Sequence, residues 1–237
     1  MSLLSYELEP ADPLPGPRLR ALVDLAFPCN LSCPGCARGR QRGRPARAAL
    51  LGVAERLASL VEETGAAATS AVMFGGEPML DLDAVVGASS RVRDACARAG
   101  CGYESAVITN ALLLDGYAAR RLARAGIGTV QVTLPSPPRE AEDARASLDV
   151  QRVARVVRNV REARDEVELV LRCEVSANED LREALTVVRV LEREGVLAPP
   201  HAATVLIGPP ASYAAQARAL FSSSRPPRGT TCVTQCP

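Results

Sequence analysis

Residues 19–36 read LRALVDLAFPCNLSCPGC, so that a short apolar run is followed at once by three cysteines. The run, 19–27, has the length and composition of a β-strand. The cysteines, Cys29, Cys33 and Cys36, are spaced C-x3-C-x2-C, and a short loop can aim three thiolates at one point. Three thiolates hold three irons of a four-iron cluster, and the fourth iron can then bind a small molecule and pass it an electron. The segment therefore predicts a strand with a metal-binding loop at its carboxyl end.

The rest of the chain repeats a strand–helix pattern. Apolar runs rich in Val, Ile and Leu alternate with longer arginine- and alanine-rich segments of helical period, which is typical of βα units. Six units are predicted, with strands at 19–27, 70–74, 103–109, 129–134, 167–175 and 203–207. The helices between them are expected at 47–64, 82–99, 116–125, 144–164 and 179–194.

Helix-terminating residues support these bounds. Left-handed C-caps are expected at Gly65, Gly100, Gly126 and Gly195, and N-caps at Asp81, Asp115 and Asn178. Strand–helix alternation makes a parallel sheet, and six units predict an α/β fold, a partial (βα)6 parallel barrel open at one side. Functional side chains are then expected at the carboxyl ends of the strands. The predicted organisation is an N-terminal lead-in at 1–18, the barrel at 19–210 and an irregular tail at 211–237.

Composition excludes several kinds of chemistry. The chain has 237 residues, 47% apolar and 23% charged, enough for a real core. Its 28 basic and 27 acidic residues nearly balance, so neither nucleic acid nor a membrane surface is expected as a partner. All the basic residues are arginine, which excludes Schiff-base catalysis and a Walker-type phosphate loop. The single histidine, His201, excludes multi-histidine zinc sites.

The cysteines fit a cytoplasmic protein. Residues 1–15 lack the basic and apolar regions of a secretory signal, and no run approaches membrane-spanning length. In a reducing compartment, eight cysteines indicate metal ligands or reactive thiols rather than disulfides. Cys96, Cys101 and Cys173 are expected to be small buried apolar residues.

Two motifs together resemble the radical S-adenosylmethionine (radical SAM) superfamily. The three-cysteine loop is similar to the cluster-binding motif of that family. Gly75-Gly76-Glu77-Pro78, at the end of the second predicted strand, resembles its G-G-E-P motif, which holds the methionine amino group of the cofactor. Taken alone, the cysteine spacing could be a zinc knuckle, and the Gly-Gly-Glu-Pro sequence could be an ordinary turn. Two glycines let a backbone approach a ligand closely, and a carboxylate attracts an amine.

Two further elements resemble the peptide-maturase and molybdopterin-type branches. Thr109-Asn110 is similar to their T-N-G element, although Ala111 replaces the glycine. Residues 130–136 resemble their V-x-I-S-L-D-G, with Thr133 at the serine position and no Asp-Gly pair. The hydroxyl of Thr133 could still reach the ribose or carboxylate of the cofactor. The resemblance covers about residues 20–208.

The resemblance also implies two arginines as binders of the cofactor carboxylate, Arg145 and Arg172. By strand parity, Arg172 points either toward the barrel mouth or onto a solvated face. Gly35 stands where many members carry an aromatic residue, and the Cys-Pro-Gly-Cys form occurs in the glycyl-radical activase branch. Cys232 and Cys236 could begin an auxiliary-cluster domain, but two thiols alone cannot hold such a cluster.

The implied function is reductive cleavage of S-adenosylmethionine at a [4Fe-4S] cluster by a low-potential donor, a flavodoxin or a ferredoxin. The resulting 5′-deoxyadenosyl radical takes a hydrogen atom from the substrate. A peptide substrate, as in the maturation of ribosomal peptides, is expected first. About twenty residues precede the first predicted strand, too few for a leader-binding module, so either a leader binds through a partner protein or there is no leader. The alternatives are a small-molecule substrate (sugar, nucleoside or amino acid), activation of a glycyl-radical enzyme, and a non-catalytic zinc or iron–sulfur binding protein.

Overall fold

The structure, a computed structural model, describes residues 4–9, 16–25, 28–31, 33, 47–134, 143–175, 178–208, 213–221 and 231–233. The chain divides into two compact units, the first made of Met1–Ile108 and Arg121–Gly128, the second of Thr109–Arg120 and Thr129–Pro237. No helix in the described ranges combines the length and apolar character that a membrane crossing requires.

The first unit is built on four strands. β1 (Leu4–Glu9) runs antiparallel to β2 (Arg18–Asp24), and β2, β3 (Ala68–Phe74) and β4 (Gly102–Thr109) are parallel neighbours in that order. Helices α1 (Arg47–Thr64) and α2 (Leu82–Ala99) follow β2 and β3 and pack on each other. A 3₁₀ turn, Pro78–Asp81, precedes α2.

One face of this sheet is covered by α2. Leu19, Thr69 and Tyr103 are in register on β2, β3 and β4, and the Tyr103 hydroxyl lies 3.1 Å from the Ser89 hydroxyl of α2. Leu19, Ala21 and Val23 alternate with more exposed residues because every second side chain of a strand points to the same face. The apolar half of the 19–27 run is therefore the half that packs under the helix.

The second unit is built on β5 (Thr129–Thr133), β6 (Glu168–Glu174), β7 (Thr204–Gly208) and β8 (Thr231–Val233), which are parallel neighbours in that order. Its helices are α4 (Asp143–Ala163), α5 (Asn178–Arg193) and α6 (Tyr213–Leu220). Helix α3 (Gly116–Arg124) lies between β4 and β5 in the chain.

The predicted strand–helix order is confirmed. Each parallel strand from β2 to β7 is followed by a helix, which gives six βα units in the described part of the chain. The four predicted capping glycines all have positive φ: 59° at Gly65, 67° at Gly100, 92° at Gly126 and 70° at Gly195. Asp81 accepts a hydrogen bond from the Ala84 N–H at 3.2 Å, and Asp115 one from Ala118 at 2.7 Å. Asn178 is the first residue of α5, and its side chain lies outside the described part.

The two chain ends differ from expectation. The lead-in contains strand β1, which was not predicted. The prediction of an irregular tail is wrong for two segments, since Tyr213–Leu220 forms helix α6 and Thr231–Val233 forms strand β8. A helix of eight residues and a strand of three are too short to show a period. Strand β1 alternates apolar and polar residues, but it is mostly exposed, so no apolar run marks it. The proposed domain boundaries stay a prediction.

Candidate functional site

The cysteine loop begins at the carboxyl end of β2. The thiols of Cys29 and Cys33 are exposed, and the Leu31 backbone N–H lies 3.4 Å from the Cys29 sulfur. Cys36, the third predicted ligand, lies outside the described residues, as does Gly35. Among the side chains that the structure describes, no three His, Cys, Asp or Glu residues are grouped as a metal site. Of the three predicted ligands, the structure describes Cys29 and Cys33, and both side chains are exposed.

The Gly75-Gly76-Glu77-Pro78 turn begins at the carboxyl end of β3. Gly75 is buried and Gly76 half-buried. Glu77 is fully buried, at 0% exposure, and its Oε1 accepts a hydrogen bond from the Met79 N–H at 2.9 Å, which caps the 3₁₀ turn. Pro78 begins that turn, where a proline loses no hydrogen bond. The buried carboxylate therefore has an observed structural task, and its predicted contact with the cofactor amine stays a prediction.

The two motifs are joined by a backbone hydrogen bond. The Glu77 N–H donates to the carbonyl of Pro28 at 2.9 Å, and Pro28 immediately precedes Cys29. Three residues earlier on each of the two segments, the Leu25 N–H donates to the Phe74 carbonyl at 2.7 Å. Because β2 and β3 are parallel neighbours, their carboxyl ends lie at the same edge of the sheet. The structure thus brings the start of the cysteine loop and the Gly-Gly-Glu-Pro turn together.

Asp24 is a candidate site residue that was not predicted from the sequence. It is the last residue of β2, in register with Phe74, and only 6% exposed. It follows Val23, so its side chain is on the sheet face opposite to the one that α2 covers. A carboxylate so deeply buried needs polar or charged partners. The available signal was a single carboxylate within the mostly apolar run 19–27, five residues before Cys29.

In the second unit, Thr109 and Asn110 build a turn. The Thr109 hydroxyl accepts a hydrogen bond from the Ala111 N–H at 3.1 Å, and the Asn110 side-chain oxygen accepts one from Leu112 at 3.1 Å. Ala111 has φ of 58° and is the one non-glycine residue with positive φ among the described residues. Its carbonyl accepts a hydrogen bond from Asn159 of α4 at 2.8 Å. Thr109 and Asn110, both predicted to contact the cofactor, therefore stabilise this turn, and their contact with the cofactor stays a prediction.

Thr133 and Arg172 lie side by side in the same unit. They are in register on β5 and β6, so their side chains share one face of the sheet. Arg172 is buried, at 9% exposure, and its Nε lies 3.4 Å from Oε1 of Glu174. The alternative that Arg172 lies on a solvated face is therefore wrong. Gln131, on the same face, donates to Gln216 of α6.

The remaining predicted residues are less fully described. Arg145 lies in α4 and Cys232 in β8, and the side chains of both are outside the described part, as are all of Cys236, Pro135 and Ser136.

The model of one protein family, the radical SAM superfamily, matches residues 27–186, which is more than half of the chain. The chain belongs to the radical SAM superfamily. This membership confirms the family predicted from the two motifs. The superfamily uses a [4Fe-4S] cluster and S-adenosylmethionine, so the two predicted cofactors are those of the family.

Solved structures show the same fold. "Native anSMEcpe with bound AdoMet and Cp18Cys peptide" superposes with a TM-score of 0.52 at 14% identity, covering 78% of this chain and 49% of that one. "Native anSMEcpe with bound AdoMet" gives 0.52 at 14% identity, covering 79% and 51%. The corresponding complex with Kp18Cys peptide gives 0.50 at 16% identity, covering 79% and 50%. The radical SAM chain thus spans about half the length of these structures, and the predicted α/β fold, a partial (βα)6 barrel, is confirmed.

The described thiols fit the radical SAM cluster. Iron–sulfur clusters are held by cysteine thiolates, and hydrogen bonds to the sulfurs tune their potentials. Cys29 and Cys33 supply two such ligands from one exposed loop, and the Leu31 amide is directed at the Cys29 sulfur. The donor set is therefore chemically suited to iron and sulfide.

The other described thiols are unsuited to be ligands. Burial raises the pKa of Cys96 to about 12 and that of Cys173 to about 11. The Cys101 sulfur is buried 3.2 Å from the Thr69 hydroxyl. Buried thiols in apolar surroundings are inert. Their predicted role as small buried apolar residues is confirmed.

Proposed function

We propose that this radical SAM protein cleaves S-adenosylmethionine reductively at a [4Fe-4S] cluster held by Cys29, Cys33 and Cys36, and that it acts on a peptide. The observation that carries the proposal is the 2.9 Å hydrogen bond from the Glu77 N–H to the Pro28 carbonyl. Two motifs that lie about forty residues apart in the sequence are adjacent in the fold, at the sheet edge where (βα) barrels carry their chemistry.

When bound, the cluster would pass one electron to S-adenosylmethionine, whose S–C5′ bond would then break to give methionine and a 5′-deoxyadenosyl radical able to take a hydrogen atom from the substrate. The protein's part is to bind and orient. Gly75 and Gly76 have no Cβ, so a ligand can approach their backbone. Glu77 presents a buried carboxylate beside that backbone, and a carboxylate is suited to pair with the methionine amine.

Five further residues are candidates for binding the polar groups of the cofactor. The proposal gives the ribose and carboxylate to Thr109, Asn110, Thr133, Arg145 and Arg172. Arg172 has the strongest case, because a guanidinium can hold a carboxylate through two parallel hydrogen bonds. Its burial beside Glu174 supports the case, since a buried arginine is kept in one orientation and screened little by water.

A peptide is the favoured substrate because of the branch-like Thr109-Asn110 element and because two of the superposed structures contain a bound peptide. A small-molecule substrate is the second candidate. The electron is expected from a low-potential donor, a flavodoxin or a ferredoxin. The cytoplasmic location stays a prediction.

The test is anaerobic reconstitution with iron and sulfide, followed by dithionite, S-adenosylmethionine and quantification of 5′-deoxyadenosine. The parent is compared with a Cys29→Ala, Cys33→Ala, Cys36→Ala variant. The matched control is Cys101→Ala, which removes a thiol outside the proposed site. We expect iron and product from the parent and from the control, and neither from the triple variant. Bound zinc without 5′-deoxyadenosine would show a metal-binding protein instead.

A further inference from the structure

Glu174 lies next to Arg172 and has no role in the reaction proposed above. Both residues are on β6, and Glu174 is the last residue of that strand. They are two positions apart, so their side chains lie on the same face of the sheet. The Arg172 Nε–H donates a hydrogen bond to Glu174 Oε1 at 3.4 Å, and the two groups form an ion pair. The pair is at the carboxyl end of the strand, where (βα) barrels carry their functional side chains.

The two partners of the ion pair differ in exposure. The Arg172 side chain is 11% exposed and the Glu174 side chain 30%. Ion pairs between exposed side chains contribute little, because water screens them and both side chains lose entropy. A buried guanidinium is different, since a charge removed from water needs a partner. The Glu174 carboxylate therefore helps to compensate a charge that is held inside the unit.

The backbone around the pair is held on both sides. The Arg172 carbonyl accepts a hydrogen bond from the Leu134 N–H at 2.8 Å, directly after β5. On the other side, the Val175 N–H donates to the Gly208 carbonyl at 2.9 Å. Gly208 is in register with Glu174 and has no side chain that could compete for its carboxylate. With the strand fixed, the orientation of the Arg172 guanidinium depends on its side-chain torsions.

The geometry of a guanidinium shows what the contact with Glu174 can do. A guanidinium has five N–H groups in a rigid fork, one on Nε and four on the two terminal nitrogens. An acceptor that holds Nε–H restricts the plane of the fork. A ligand carboxylate binds best to two parallel N–H groups, and four terminal N–H groups can serve such a ligand together with other acceptors. The Glu174 contact thus restricts the direction in which Arg172 can bind a carboxylate.

We propose that Glu174 is a positioning residue, whose carboxylate holds the Nε of Arg172 and directs the terminal nitrogens toward the carboxylate of S-adenosylmethionine. The inference rests on the proposed function, which gives that carboxylate to Arg172, and adds the residue that orients the arginine. Glu174 acts through Arg172 and makes no contact with the cofactor. Its loss should therefore reduce the discrimination between ligands with and without a carboxylate.

The first test measures binding to the reconstituted full chain by equilibrium dialysis. The ligands are S-adenosylmethionine and its decarboxylated analogue, and the ratio of their dissociation constants reports the carboxylate contact. Glu174→Ala removes the charge and the acceptor of the Nε–H, whereas Glu174→Gln removes the same charge and keeps an oxygen acceptor. We expect the ratio to fall about tenfold in Glu174→Ala and to stay within about threefold of the parent in Glu174→Gln. Equal ratios in the two variants, or an unchanged ratio in Glu174→Ala, would overturn the proposal.

Glu168 provides a matched control on the same strand. It is the first residue of β6, lies on the same face as Glu174, and is six residues, about 20 Å, away from it. Its carboxylate accepts a hydrogen bond from the Thr129 hydroxyl at 3.4 Å. Glu168→Ala should keep the ratio of the parent. A fall as large as that in Glu174→Ala would mean that the loss of any carboxylate from this strand has the effect, and the positioning role would be lost.

A second readout does not involve the cofactor. Exchange of the Arg172 Nε–H proton with water is followed in the reconstituted chain with ¹⁵N-labelled arginine, and Arg172→Lys, which lacks this group, identifies the signal. The exchange should be slow in the parent and in Glu174→Gln, and at least about tenfold faster in Glu174→Ala. The same fast exchange in all three proteins would show that Glu174 does not hold the Nε–H.

Formation of 5′-deoxyadenosine by the parent separates this inference from the proposed function. If the product forms, but Arg172→Lys and Glu174→Ala discriminate between the two ligands as the parent does, the positioning role is overturned and the radical chemistry stands. If discrimination is found and is lost in Glu174→Ala, but no product forms, the radical chemistry is overturned and the positioning role stands.

Discussion

Ala111 adopts a left-handed backbone conformation, with φ of 58°, at the position where the resembled Thr-Asn-Gly element has its glycine. For an L-residue this conformation costs about 1–2 kcal/mol, which glycine does not incur. Asn159 of α4 binds the Ala111 carbonyl, and Thr109 and Asn110 bind the amides of Ala111 and Leu112. The surrounding hydrogen bonds thus keep the alanine in a conformation that its side chain disfavours.

We expect Ala111→Gly to leave the free energy of unfolding within about 1 kcal/mol of the parent, because relief of strain offsets the lost methyl burial and the entropy of glycine. Ala154→Gly, in the exposed interior of α4, should cost about 1 kcal/mol. Urea unfolding of both variants checks this. If Ala111 carried no left-handed strain, Ala111→Gly would lower the free energy of unfolding more than Ala154→Gly does, because Ala111 is buried. That result would contradict the proposed strain.

Glu77→Gln separates the structural from the proposed binding role of Glu77. The glutamine side-chain oxygen can still accept the Met79 N–H, so the 3₁₀ turn and cluster loading should be kept. The negative charge proposed to hold the cofactor amine is lost, and S-adenosylmethionine should bind about tenfold more weakly. Equilibrium dialysis of the reconstituted protein measures this. Unchanged affinity would assign Glu77 to the turn alone.

Among the elements, α1 offers a test of the capping argument. Gly52 lies in the exposed helix interior and Gly65 at the helix end with φ of 59°, and a methyl group added at either would meet no atom within 4 Å. Gly52→Ala should therefore raise the free energy of unfolding by up to about 1 kcal/mol. Gly65→Ala should lower it by about 1 kcal/mol. Chemical denaturation of the two variants should give opposite signs, and equal signs would show that packing, not backbone conformation, controls these sites.

The elements that sequence predicted are those with long, regular patterns. The six apolar runs and the helices from α1 to α5 were found because burial on one side imposes a period of 2 or 3.6 residues. Strand β8 and helix α6 are too short to show one. The orientation of Arg172 could not be derived either, because strand parity gives two faces and only the neighbouring strands decide which is buried.

The candidate site shows the same contrast between features that have a sequence signal and features that depend on the fold. Cys29, Cys33 and Glu77 were predicted because the residue types themselves carry the chemistry. Asp24 was missed because a single carboxylate has meaning only once its burial is known. The hydrogen bond between the Glu77 amide and the Pro28 carbonyl has no side-chain signature at all, since it depends on the register of β2 and β3.

At the scale of the whole molecule, the absence of lysine simplifies alkaline titration. Arginine keeps its charge well above pH 11, so mainly thiols and tyrosines titrate in that range. Burial raises the pKa of Cys173 from 9.0 to about 11 and that of Cys96 to about 12, and it also raises that of Tyr103. The folded state therefore holds these protons more tightly than the unfolded state, and stability should be complete below about pH 9 and fall above it.

The expected fall is at most about 1.4 kcal/mol per pH unit for each such group. Urea unfolding under reducing conditions between about pH 8.5 and 10.5 measures it. Cys173→Ala should make the free energy of unfolding fall less steeply with pH, because the contribution of the Cys173 thiol is removed. The control, Cys101→Ala, leaves the Cys173 thiol in place and should keep its contribution to the slope. A stability that is flat to pH 10.5 in the parent would contradict the raised values.

The link between Pro28 and Glu77 joins one main chain to another. No side-chain substitution at either position deletes the donor at residue 77, short of proline, or the carbonyl at residue 28. Mutational drift can therefore replace most of the surrounding sequence without separating the two loops. The contact between the two loops therefore depends on the register of β2 and β3 more than on which side chains the loops carry.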